Sequence, residues 1–83
     1  MLHILYDGRS EDLEFSDLIP EQRREALGLT PNQTDFRSLN QDQIKTALAN
    51  HFDKAVSEFD ELVIEYHKNG NVTVRPDATF AKD

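Results

Sequence analysis

The chain has 83 residues, of which 37% are hydrophobic and 30% charged, with a formal net charge of −7 and no cysteine. That length supports one small domain, and the missing cysteine excludes disulfides, thiol catalysis and cysteine-based zinc or iron–sulfur sites. The acidic balance is spread over both halves and repels phosphate backbones, which disfavours direct nucleic-acid binding, and no apolar run approaches the roughly 18 residues of a membrane helix.

Period-two alternation marks the first element. Leu2, Ile4 and Tyr6 alternate with His3 and Leu5, and Leu13 and Phe15 alternate with Asp12 and Glu14. Two strands joined around Asp7-Gly8-Arg9-Ser10 are expected. A two-residue Asp7-Gly8 loop would pair Ile4 with Glu11 and mix faces. A four-residue loop pairs Ile4 with Leu13, Leu2 with Phe15 and His3 with Glu14, and is preferred on pattern. Pro20 suits a first helical turn and Gly28 a C-terminal cap, so a two-turn helix is expected over about 20–27. The stretch "TPNQTDFRS" reads as a loop pinned by Phe36, and Asn32 within it as a chance sequon.

The main helix is expected to begin after Asn40. Asn40 and Gln43 have capping-box spacing, and Leu39 and Ile44 have the spacing of a hydrophobic staple. Ile44, Leu48, Phe52 and Ala55 form a helical stripe, which predicts a helix over about 41–54. Val56 and Phe59 are expected to tuck under the sheet.

The last element is a hairpin around Asn69-Gly70. A two-residue loop would place Val72 and Val74 on the face of His67 and Glu65. A three-residue loop, Asn69-Gly70-Asn71, pairs Tyr66 with Val74 and gathers Leu62, Ile64, Tyr66, Val72 and Val74 on one face. It leaves Val63, Glu65, His67, Thr73 and Arg75 on the other, with Glu65 opposite Arg75 and Asn71 in the left-handed conformation. Pro76 ends the strand. Residues 77–83 read as a short tail of the same domain, with Phe80 docked.

The predicted fold class is α+β: a four-stranded sheet of two hairpins packed by one main helix, in ββ(α)αββ order. If the last strand lies beside the first and parallel to it, this is the β-grasp (ubiquitin-like) arrangement. Ubiquitin-type modifiers and sulfur carriers of that topology end in Gly-Gly. This chain reads Ala81-Lys82-Asp83, which argues against those roles.

Few constellations point to chemistry. His51 falls in the middle of the helical stripe, so it is expected to face the sheet, bonded to a backbone carbonyl or to the Tyr66 hydroxyl, and is the candidate titrating residue. Ala47 and Ala55 flank it at ligand spacing, so no metal pair forms on the helix. The carboxylate clusters, Glu11, Asp12 and Glu14, then Glu58, Asp60 and Glu61, lack the calcium-loop pattern. No phosphate loop and no nucleophile elbow occur. No catalytic residue, cofactor or metal is therefore assigned. The expected function is a small non-enzymatic protein–protein interaction module, an adaptor or accessory subunit. Its candidate partner surface is Glu65, His67, Thr73 and Arg75 with Glu11, Asp12 and Glu14. The partner is another protein, a basic one if the acidic clusters take part, with no nucleic acid and no membrane, and the chain is a monomer or weak dimer. The alternative is an acidic inhibitor or nucleic-acid mimic, and behind it a small metal-binding protein or enzyme. Residues 1–8 lack a basic signal-peptide region and cysteine is absent, so the cytoplasm is the expected location.

Overall fold

The computed structural model describes residues 1–76. The expected tail at 77–83, Phe80 included, lies outside them. Strands β1 (Leu2–Tyr6) and β2 (Arg9–Leu13) form the first hairpin. Short helices α1 (Phe15–Leu18) and α2 (Glu21–Arg24) follow. The main helix α3 spans Gln41–Phe52, and β3 (Leu62–Tyr66) and β4 (Val72–Pro76) form the second hairpin. The sheet order is β2-β1-β4-β3. The central pair, β1 and β4, is parallel and both outer pairs are antiparallel, so this is a mixed α+β fold. The last described strand thus lies beside the first and parallel to it.

One face of the sheet and the inner side of α3 make the core. Leu2, Ile4, Val72 and Val74 from the central strands are fully buried with Ile44, Leu48, Phe59 and Ile19. Each such side chain contributes about 1.5–3 kcal/mol on leaving water. The start of α3 follows its capping signals. The Asn40 side chain accepts from the Gln43 N–H at 2.7 Å, and the Gln43 side chain accepts from the Asn40 N–H at 2.9 Å. Leu39 and Ile44 are buried at the staple positions. The second helix is shorter than expected: α2 tightens into a 3₁₀ turn at Glu25–Leu27, which Gly28 closes in the left-handed region.

Three expectations are corrected. The first hairpin uses the two-residue Asp7-Gly8 loop and not the four-residue one. Asp7 has φ 53° and Gly8 φ 75°, the left-handed pair of a type I′ turn, which suits strand twist. Leu2 therefore pairs with Leu13, Ile4 with Glu11, and His3 with Asp12 instead of Glu14. Phe15 leaves the strand and opens α1, where it is buried against Phe36 with ring centroids 5.2 Å apart. In the second hairpin the three-residue loop is Lys68-Asn69-Gly70, one residue earlier than expected. His67 N–H donates to the Asn71 carbonyl, and Gly70, not Asn71, takes positive φ. That slides the register by two, to Tyr66–Val72, Ile64–Val74 and Glu65–Thr73, and preserves the faces. Lastly, α3 stops at Phe52, because Asp53 turns left-handed, and Val56 is 43% exposed although Phe59 is buried.

Candidate interaction surface

Side-chain alternation follows directly from these registers. With Leu2, Ile4, Val72 and Val74 turned into the core, the opposite face carries Ser10 and Asp12 from β2 and His3 and Leu5 from β1. Thr73 and Arg75 from β4 and Val63 and Glu65 from β3 complete it, with His67 just beyond the strand. No helix of the described residues covers this side. Glu65, His67, Thr73 and Arg75 are thus brought together. Arg75 Nε donates to Glu65 Oε1 at 2.8 Å, diagonally across the two strands, because Thr73 and not Arg75 stands opposite Glu65. His67 Nε2 and Thr73 Oγ1 are 2.8 Å apart. The Arg75 hydrogen bond, and then its charge, hold the Glu65 carboxyl below the ordinary glutamate range.

Asp12 joins the same face in a way sequence reading placed one step wrong. Its Oδ1 lies 2.5 Å from His3 Nδ1, and His3 Nε2 lies 3.3 Å from Ser10 Oγ. Carboxylate, imidazole and hydroxyl form a chain, but the His3 and Asp12 side chains are 40% and 58% exposed, so water competes for each contact. The chain is a surface network. The Asp-Gly turn rule, applied over the apolar pattern, would have paired His3 with Asp12 in advance.

The remaining candidates scatter. Glu11 projects from the other face of β2, half-buried, and lines a depression of about 250 Å³ with Tyr6, Asp7, Arg9, Phe52 and Lys54. The Tyr6 ring stacks on Phe59 at 4.8 Å and its hydroxyl donates to Glu58 at 3.0 Å. Partial removal from water, then that carboxylate, raises the Tyr6 pKa. Glu14 is exposed at the entry to α1, where its N–H donates to Asp17 Oδ2 at 3.3 Å.

His51 is exposed and does not face the sheet. The buried residues of α3 stop at Leu48 and Ala49, and in the last turn the contact with the core passes to Phe52, whose ring centre lies 5.7 Å from that of Tyr6 in β1. The last turn lies over the α1–α2 corner, where His51 borders a shallow groove with Asp17, Leu18, Pro20, Arg23 and Asn50. Its ring meets Phe52 edge-on at 4.8 Å. The Tyr66 hydroxyl donates instead to the Leu39 carbonyl at 2.8 Å.

Arg24 was not foreseen at all. It is 6% exposed, and its guanidinium donates to the carbonyls of Ile19 and Pro31 and to Ser16 Oγ while lying 5.3 Å from the Phe15 ring centre. It ties α1 to the loop after Gly28 and is structural.

Among the described residues, no three His, Asp or Glu side chains are grouped to hold a metal ion, and no helix is long and apolar enough to cross a membrane. Compared with known proteins, the chain matches no family model, no curated protein and no solved structure.

Proposed function

We propose that this chain is a non-enzymatic protein–protein interaction module that meets its partner through the uncovered face of the sheet. One observation supports the reading most. The chain carries sixteen acidic side chains, yet within the strands only Asp12 and Glu65 project from this face. Each is met there by a basic or titratable neighbour, His3 for Asp12 and Arg75 for Glu65. Carboxylates already satisfied within the face are less costly to cover than free ones. Leu5, 38% exposed, and half-buried Val63 add apolar area among them. The β-grasp-like strand order supports an adaptor or accessory role by analogy alone. The lack of cysteine fits a cytoplasmic setting.

The rival reading, an acidic mimic of nucleic acid, requires the carboxylate clusters to share one face. Glu11 and Asp12 project from opposite faces of β2, which weighs against it. The test is capture from a lysate of the source organism by the tagged chain at low and moderate salt, with mass spectrometry of what is retained. One dominant protein at both salts supports the module. Nothing above background removes its ground, and a nucleic-acid-binding protein released by salt favours the mimic.

A further inference from the structure

The two sheet edges differ in what they leave unpaired. In an antiparallel pair, residues alternate between those bonded to the neighbour strand and those whose N–H and C=O point away. His67 N–H donates to the Asn71 carbonyl at 2.9 Å, so Glu65 and Val63 are the bonded residues of β3. Leu62, Ile64 and Tyr66 then direct their backbone groups off the sheet. None of these groups has a hydrogen-bond partner among the described residues. On β2 the two-residue turn makes Arg9 and Glu11 the bonded residues, so only Ser10 and Asp12 point outward, amid charged side chains. Charge protects β2 against pairing. β3, Leu-Val-Ile-Glu-Tyr, has neither proline nor lysine nor bulge to protect it.

We propose that two copies of this chain pair antiparallel along β3, about a two-fold axis through Ile64, to form one continuous eight-stranded sheet. The axis follows from charge. Only registers that set outward-pointing residues against each other form the bonds, and among these the axes at Val63, Ile64 or Glu65 keep at least three residues of each β3 paired. An axis at Val63 sets Glu61 opposite Glu65 of the second copy, and an axis at Glu65 sets that residue opposite itself. Like charges directly opposite are destabilising. An axis at Ile64 sets Val63 opposite Glu65 and Glu61 opposite His67, and brings Asp60 to Lys68. Asp60, Glu61, His67 and Lys68 are exposed, and none makes an ion pair within the described residues. The contact is isologous: the same patch serves both copies, and the Asp60–Lys68 match occurs twice.

The test uses the purified chain alone, so its failure leaves the reading of a separate protein partner standing. Sedimentation equilibrium from micromolar to millimolar concentration is expected to show a monomer–dimer equilibrium. Amide exchange is expected to slow at Leu62, Ile64 and Tyr66 as concentration rises, and not at Ser10 and Asp12. K68E is expected to weaken the dimer roughly tenfold, since two pairs turn repulsive, and adding D60K to restore it. A monomer at every concentration overturns the proposal. So does a dimer that leaves those three amides unprotected, or one that D60K with K68E does not restore.

Discussion

Replacing Asp53 with glycine is expected to stabilise the fold. Asp53 ends α3 with φ 57° and ψ 49°, and Lys54 N–H reaches back to the Ala49 carbonyl at 2.9 Å. That is the bond pattern of a Schellman end, whose left-handed position glycine fills at least cost. For an L-residue the conformation costs about 1 kcal/mol, toward the low end for aspartate. The carboxylate also stands at the negative end of the helix, which costs about 0.3–1 kcal/mol. Glycine gives back about 0.4–1 kcal/mol through its freer unfolded chain. The net gain is about 1 kcal/mol, which raises Tm by about 4–8 °C in a domain of this size. D53N removes the charge and keeps a side chain that tolerates the left-handed region, so about half the gain is expected from it. Thermal unfolding by circular dichroism at low and high salt measures both. Salt should shrink the gain of D53N and leave the difference between D53G and D53N intact. If D53G is no more stable than D53N, the strain argument is wrong; if both match the wild type, the helix-end argument fails as well.

Other consequences are more local. G8A should cost about 1 kcal/mol through backbone conformation alone. A Cβ at Gly8 meets nothing within 4 Å, so any larger loss in urea unfolding would contradict the turn assigned here. F59A empties a fully buried site against Tyr6 and Phe52 and should cost about 3–5 kcal/mol. Much of a small domain's stability is then gone, and loss of amide dispersion by NMR is the readout. The folded pKa of Glu65 lies below its unfolded value, so its contribution is present above the unfolded pKa and is lost as pH falls through the folded one. E65Q should accordingly be less stable than wild type at neutral pH, with the difference vanishing on the acid side of the ordinary glutamate range. A difference that persists there would place its origin in packing and not in charge.

How far the fold could be read in advance depended on what each signal reports. Capping chemistry is local and placed the start of α3 at Asn40 without help from the rest of the chain. Period-two alternation assigned the faces of β3 and β4 correctly but cannot see a register shift of two, which leaves every side chain on its own face. The positive φ of Gly70 and the His67–Asn71 backbone bond distinguish the two loops. In the first hairpin the pattern misled, because Phe15 looked like the next inward residue of β2 when it opens a helix. The Asp7-Gly8 turn chemistry was the better guide, and it carried the His3–Asp12 contact with it. His51 shows the limit of a helical wheel: the wheel gives direction around the axis but not which element lies there, and His51 borders the α1–α2 corner while Phe52 takes the contact with β1. Arg24 was invisible because its acceptors on Ile19, Pro31 and Ser16 converge only in the folded chain. The grouping of Glu65, His67, Thr73 and Arg75 was legible from parity, and so was the separation of Glu11 from Asp12, since neighbouring strand residues face opposite ways in either register.

The most direct test of the interaction-face account compares two variants of equal charge change in lysate capture. T73R places a long cation at the centre of the uncovered sheet face, between the His3 and Glu65 positions. Q22R places the same cation at an exposed site on α2. Both should unfold at temperatures close to that of the wild type. The account predicts that the protein retained by the wild type is retained by Q22R and lost from T73R. Retention by T73R at the wild-type level, with its fold intact, would contradict it.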